Sequence, residues 1–259
     1  MTAPLRATKQ IIIALIFFLI LGGVSFGVYR SFSESIPMPT PDVTIHLSPI
    51  QILSTKLLNV ANNDYDFVAK VYNPNFEYGS ANVEYKIIFY NAVNIEIGQK
   101  NNSFYILPGQ TRYVINTPLR FQELPVRAEM NIVSIDWQKI DPLGVINISL
   151  ITRNVTYGQV AETSVFSKAG GNIVNNSDYD LNQVNIIILL FDGNDNIIAT
   201  NRTEIWTFIA RTTRGFETNW YSPFVGVVAR VEVEAHTNVL ENSNFLRQYD
   251  RQERFQQFY

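Results

Sequence analysis

Residues 173–200, IVNNSDYDLNQVNIIILLFDGNDNIIAT, constrain the chain more than any other stretch. Asn175-Asn176-Ser177-Asp178 is turn chemistry, because short polar side chains bond their own backbone. Val184 to Phe191 is rich in β-branched and aromatic residues, as strands are. Asp192-Gly193-Asn194-Asp195-Asn196 reads as a hairpin loop, since Gly and Asn tolerate the positive φ that tight hairpins need. The stretch is therefore a strand, a polar corner, a long apolar strand, a tight turn and a returning strand.

A similar pattern lies 102 residues earlier. Residues 67–72 form a strand candidate ended by Asn73-Pro74-Asn75, where Pro74 lacks a donor and forces Asn73 out of the helical region. Residues 83–90 follow, with Val83, Tyr85, Ile87 and Phe89 on one face. Residues 91–94 turn, residues 95–97 return, Leu107-Pro108-Gly109-Gln110 turns again, and residues 113–115 and 128–137 complete the set. A shift of 102 brings Asn73 onto Asn175, Phe89 onto Phe191, Asn94-Ile95 onto Asn196-Ile197 and Thr111-Arg112 onto Thr213-Arg214. No helical period of useful length appears from 43 to 240. Regularly spaced short strands point to sandwiches or barrels. The expected class is all-β: two tandem immunoglobulin-like β-sandwiches, at 43–141 and 142–240, behind one N-terminal transmembrane helix. A single long β domain is the alternative. The Cys-Trp-Cys hallmark of immunoglobulin domains is absent, because the chain has no cysteine.

Residues 11–28, IIIALIFFLILGGVSFGV, carry no charge. At 1.5 Å per residue they span about 27 Å, close to one hydrocarbon core. Arg6 and Lys9 precede them, so residues 1–10 are expected in the cytoplasm, 11–29 in the cell membrane and the rest outside. A cleaved signal peptide, with Gly23-Val24-Ser25 as its site, is the competing reading. Pro37, Pro39 and Pro41 make 30–42 an extended linker.

Val71-Tyr72-Asn73-Pro74-Asn75, Gly79, the strand to Phe89 and Leu107-Pro108-Gly109 resemble the late-embryogenesis-abundant type 2 (LEA type 2, WHy) domain. The second copy resembles the FxLYD domain of bacterial surface proteins. Its motif falls on Ile188-Leu189-Leu190-Phe191-Asp192, with Ile188 in place of Phe, Phe191 in place of Tyr, and Ala210-Arg211-Thr212 where a Pro-Gly turn is expected. Both resemblances imply a seven-stranded sandwich, extracytoplasmic placement and no enzymatic activity.

Chemistry is sparse. Without cysteine there are no disulfides and no thiolate sites. Net charge is −3 with scattered Lys and Arg, which argues against a nucleic-acid surface. The two histidines, His46 and His236, lie at opposite ends of the β region and form no catalytic or ligand-spaced cluster. Glu96, Glu123, Glu129 and Asp136 read as solvated carboxylates. Asp178, Asp180, Asp192 and Asn194 are the weak candidates for a cation site; the hairpin reading is favoured, because position six of the calcium-loop pattern is Ile197 and position twelve Thr203. Sequons occur at Asn101, Asn147, Asn154, Asn175 and Asn201. The tail, 241–259, places Phe245, Tyr249, Arg251, Phe255 and Tyr259 in a polar context and offers a docking peptide, because aromatics and Arg are favoured anchors. The expected protein is a non-catalytic envelope adaptor or structural module without cofactor, held by its helix, with a protein partner or itself as partner. The alternative is a ligand- or cation-binding ectodomain, favoured by a pocket of convergent polar groups between the sandwiches.

Overall fold

The computed structural model describes residues 3–33, 46–61, 63–140, 148–160 and 164–246. The linker at 34–45, the junction at 141–147 and the tail beyond 246 lie outside the described residues.

The first unit, Met1–His46, contains the helix α1 (Ala3–Ser33). The helix is longer at both ends than the uncharged run. Its segment 12–30 has a mean hydropathy of 2.5, long and apolar enough to cross a membrane. Ile13, Phe17, Phe18, Leu19, Val24 and Phe26 all stand exposed, so the helix is apolar around its circumference.

The second unit, Leu47–Tyr259, is built of antiparallel strands. In chain order they are β1 (Gln51–Ala61), β2 (Asp64–Tyr72), β3 (Tyr78–Tyr90), β4 (Glu96–Ile106), β5 (Thr111–Arg120), β6 (Arg127–Ile135) and the short β7 (Gln138–Lys139). Then come β8 (Leu150–Gln159), β9 (Ser167–Asn175), β10 (Leu181–Phe191), β11 (Ile197–Phe208), β12 (Thr213–Trp220) and β13 (Arg230–His236). Sheets β1-β2-β5 and β4-β3-β6 enclose one core, and β7 pairs with the start of β3. Sheets β12-β9-β8 and β11-β10-β13 enclose a second. The strand order is the same in both halves, β1–β6 corresponding to β8–β13. The all-β class, with sandwich-like antiparallel sheets and one apolar helix, is what the sequence predicts.

The repeat distance needs one correction. Along β2 and β5 the offset is 102: Tyr72 pairs with Thr111 as Val174 pairs with Thr213. Along β3 and its hairpin it is 101. Val83, Tyr85, Ile87 and Phe89 face the first core, and Val184, Ile186, Ile188 and Leu190 face the second. Asn91 Oδ1 accepts from the amides of Val93 and Ile95; Asp192 Oδ1 accepts from those of Asn194 and Asn196. The residue lost sits in the corner before the strand. Asn73 Nδ2 reaches the carbonyl of Tyr78, five residues on, whereas Asn175 Nδ2 reaches that of Tyr179, four on. Phe89 therefore corresponds to Leu190, and Phe191 points the other way. A strand slip of one residue exchanges the two faces, so the difference is large in space.

What Phe191 faces is the other sandwich. Ile187, Leu189 and Phe191 of β10 pack against Leu58, Val68, Tyr113 and Ile115 of β1, β2 and β5 in a third apolar cluster. The outer face of the β1-β2-β5 sheet is thus buried on the outer face of the β11-β10-β13 sheet. Each such side chain stabilises the joint by roughly 1.5–3 kcal/mol. β10 is apolar on both faces because both are covered.

Two turns show how one plan is met by different residues. Gly109, at φ 63°, closes the Pro108-Gly109 turn. Its counterpart 102 residues on is Arg211, at φ 59°. A non-glycine residue there costs about 1 kcal/mol. Arg211 offsets this by donating to the carbonyl of Asn176 at 2.9 Å and to Asp178 at 2.8 Å. Gly170 and Gly171 lie where β8 bulges between Arg153 and Thr156. A Cβ on either would meet backbone oxygen at 3.0–3.1 Å, which makes this a close strand approach.

Candidate functional site

The joint between the sandwiches carries a dense polar cluster buried near an apolar interface. β5 presents Arg112 just before the joint residue Tyr113. Arg112 is buried; its Nη1 donates to the carbonyl of Tyr105 on β4 at 2.5 Å, and its Nη2 lies 2.5 Å from His236 Nε2 at the end of β13. Its guanidinium also stacks on the Tyr105 ring at 4.3 Å, and the Tyr105 and His236 rings are 5.7 Å apart. A guanidinium only donates, so Nε2 is the acceptor and the proton of the neutral imidazole sits on Nδ1.

The electrostatics follow from burial. Burial, reinforced by the neighbouring Arg112 charge, pushes His236 well below its ordinary pKa, which keeps the ring neutral. Burial lowers Arg112 and raises the Tyr105 phenol. Glu234, on the same strand as His236, is raised by burial, while its Oε2 accepts from the Tyr113 amide at 2.9 Å. Among the described residues Arg112 has no ion pair.

A cavity of about 220 Å³ opens at this cluster, lined by Tyr85, Tyr105, Arg112, Ile187, Arg202 and His236 among others, and by no carboxylate. Asn102 donates to Asn116, which donates to the Tyr85 hydroxyl, so polar groups lead away from it in a chain. The arrangement is rich in donors and suited to binding an acceptor. A larger, more open depression of about 640 Å³ lies along Glu84, Lys86, Gln99, Asn101 and Val133 on the free face of β3 and β4.

The second sandwich repeats the arginine without its cover. Arg214, counterpart of Arg112, donates to the carbonyl of Trp206, counterpart of Tyr105, at 2.9 Å. Both Arg214 and Trp206 are exposed, Trp206 to 60%. The same strand-end device is buried by a neighbour in the first sandwich and open in the second.

The residues singled out in the sequence fall elsewhere. Asp178 pairs with Arg211, and Asp180 accepts from the Ala210 amide. Asp192 sits past the far end of the eleven-residue β10, more than about 30 Å away at strand rise. Bonds from the Asn196 backbone hold its carboxyl below the usual range, as suits a hairpin cap. The four cation candidates are therefore not one site, and no group of three His, Asp or Glu among the described residues is placed to hold a metal. Phe245 is no docking anchor: it is buried in the second core, its ring 5.0 Å from that of Tyr179. Tyr249, Arg251, Phe255 and Tyr259 lie outside the described residues. Asn175 is fully buried and bonded, so its sequon is closed in the folded chain. His46 is exposed, whereas His236 belongs to the cluster. The missed signal was the apolar character of both faces of β10, which requires a second covering surface.

Asp66 adds a charge to the same buried sheet face, two residues before Val68. Burial raises its carboxyl from the ordinary 3.8 to about 6. The native chain then binds a proton that the unfolded chain releases, so stability falls as pH rises from 3.8 to 6 and the full cost stands above that. The difference corresponds to about 3 kcal/mol at neutral pH. Asp66→Asn is expected to raise stability by up to about 3 kcal/mol at pH 7 and to be neutral near pH 3.5. Urea unfolding at both pH values checks this; a loss of stability at pH 7 would show that the carboxylate itself is needed.

No protein-family model matches the chain, and no curated protein matches it. Among solved structures, the crystal structure of red sea bream transglutaminase is similar over 74% of this chain, at 10% identity and a TM-score of 0.24; the match spans 30% of that protein's length.

Proposed function

We propose that this is a non-catalytic, membrane-anchored protein whose β unit stands outside the membrane and holds a protein partner, as an envelope adaptor or structural module. The observation that carries the reading is the open copy of a buried device. In the first sandwich the Arg112–Tyr105 pair is covered by a neighbouring sandwich. In the second, Arg214 and Trp206 present the equivalent surface uncovered, and Trp with Arg is the composition of interface anchors. The exposed edges of the sheets add a route for strand addition. The helix 12–30 supplies the anchor. The resemblance to LEA type 2 and FxLYD domains supports the same placement.

The test is in-cell crosslinking of the full-length protein, solubilised and identified by mass spectrometry. The reading expects one reproducible adduct, with an envelope protein or a second copy, lost in the Trp206→Ala/Arg214→Ala double variant at unchanged abundance. An adduct indifferent to that variant would move the interface elsewhere; no adduct would remove the adaptor reading. A second reading, a ligand-binding ectodomain, is favoured by the 220 Å³ cavity at the joint.

A further inference from the structure

The polar cluster of the joint contains more donors than the protein satisfies. Arg112 Nε, His236 Nδ1 and the Tyr105 hydroxyl are all buried and find no hydrogen-bond partner among the described residues. Each is a donor: Nε by the nature of the guanidinium, Nδ1 because Nε2 is taken as the acceptor for Arg112, and the phenol at any pH below its raised pKa. Leaving a buried donor unsatisfied carries the full desolvation penalty of that group. The three donors belong to residues that line one cavity, whose wall also carries Arg202 and no carboxylate. Glu234 on the facing strand attracts Arg112 electrostatically, but it does not line the cavity and its carboxylate accepts from the Tyr113 amide.

We infer that the joint cavity binds a small oxyanion, of the size of a phosphate or a short carboxylate, held by Arg112, His236 and Tyr105 between the two sandwiches. The inference rests on the ligand-binding reading and gives it a ligand class. The chemistry is direct. An oxyanion accepts several hydrogen bonds at once, its charge meets an arginine without an ion pair, and a low-dielectric surrounding strengthens both effects. A cavity of about 220 Å³ admits such an ion with a few waters, at about 30 Å³ per water. Arg112 and Tyr105 come from the first sandwich and His236 from the second, so the bound anion would also tie the two together.

The experiment uses the full chain in lipid nanodiscs. Thermal unfolding is followed against inorganic phosphate, sulfate, acetate and chloride at matched ionic strength, with glycerol as neutral solute. One of the oxyanions is expected to raise the Tm saturably, by several degrees, where chloride does not. Phosphate against acetate separates a phosphate-type from a carboxylate-type ligand. Tyr105→Phe removes one unsatisfied donor with little change in packing. It is expected to raise the Tm of the anion-free protein and to weaken the anion about tenfold, a combination that a purely structural tyrosine would not give. Arg112→Lys is expected to abolish selectivity among the oxyanions while the chain remains folded. Equal responses to all salts, unchanged by Tyr105→Phe, would overturn the inference. Selective stabilisation by glycerol would also overturn it, while leaving a ligand-binding role in place.

Discussion

Replacing Leu189 by alanine is expected to cost about 2–5 kcal/mol and to loosen the two sandwiches from each other. Leu189 is fully buried, yet it does not face the core of its own sandwich; it packs in the apolar cluster with Val68, Tyr113 and Ile115 of the other. The neighbouring Leu190 is equally buried and faces the second core. Leu190→Ala is expected to cost a similar amount, but in another place. Amide hydrogen exchange separates them. In Leu189→Ala the β5 amides at Tyr113 and Ile115 should lose protection in step with the joint, because those residues lose their covering partner. In Leu190→Ala they should remain protected until the whole unit opens. The reverse pattern would mean that the repeat runs at 102 through β10 and that Phe191, not Leu190, is a core residue.

Asn175→Ala is expected to remove about 4 kcal/mol, a large effect for a polar side chain. The amide is fully buried. Its Nδ2 donates to the carbonyls of Tyr179 at 2.9 Å and Phe208 at 3.1 Å, and its Oδ1 accepts from the Ser177 hydroxyl at 2.6 Å and the Ser177 amide at 3.2 Å. Alanine leaves these backbone groups buried without partners. Asn73 does the same work in the first copy, bonding the carbonyls of Tyr78 and Leu107 and the amide of Asn75. Asn101→Ala, at an exposed position on β4, serves as the control and is expected to change stability by no more than about 0.5 kcal/mol. Chemical denaturation of the parent chain and both variants measures this. A cost at Asn175 no larger than at Asn101 would show that the corner is held by the strands alone.

Much of the fold was legible because its signals are local. Asn73-Pro74-Asn75 ends β2 at Tyr72, the Asp192–Asn196 loop forms its hairpin, and alternation in 83–90 names the face that enters the first core. The register of the second copy was harder. One residue fewer in the corner after Asn175 leaves the polar landmarks almost in place but turns β10 over, and composition alone cannot register that. The joint was harder still. It is made of residues far apart in sequence whose pairing depends on which outer face meets which. Arg112 stood in the sequence as a repeat landmark and His236 as an isolated strand residue; their 2.5 Å contact spans 124 positions. The one advance signal was in β10 and β5, where apolar residues occupy both faces. A strand of a freestanding sandwich has no reason to be apolar on its outer side. Phe245 misled for a related reason. Its polar neighbours suggested a free tail, yet an aromatic ring meets the apolar core beside Tyr179 whatever flanks it.

The proposed placement of the β unit outside the membrane underlies both the partner and the ligand readings, and one labelling experiment tests it most directly. The chain has no cysteine, so a single Val225→Cys substitution gives a unique thiol, at a position 90% exposed on the loop between β12 and β13. Intact cells are treated with a membrane-impermeant maleimide before and after permeabilisation. Full labelling in intact cells is the predicted result, with a thiol introduced instead before the helix protected until the cells are opened. Labelling of the Val225→Cys variant only after permeabilisation would put the sandwiches on the cytoplasmic side and contradict the account.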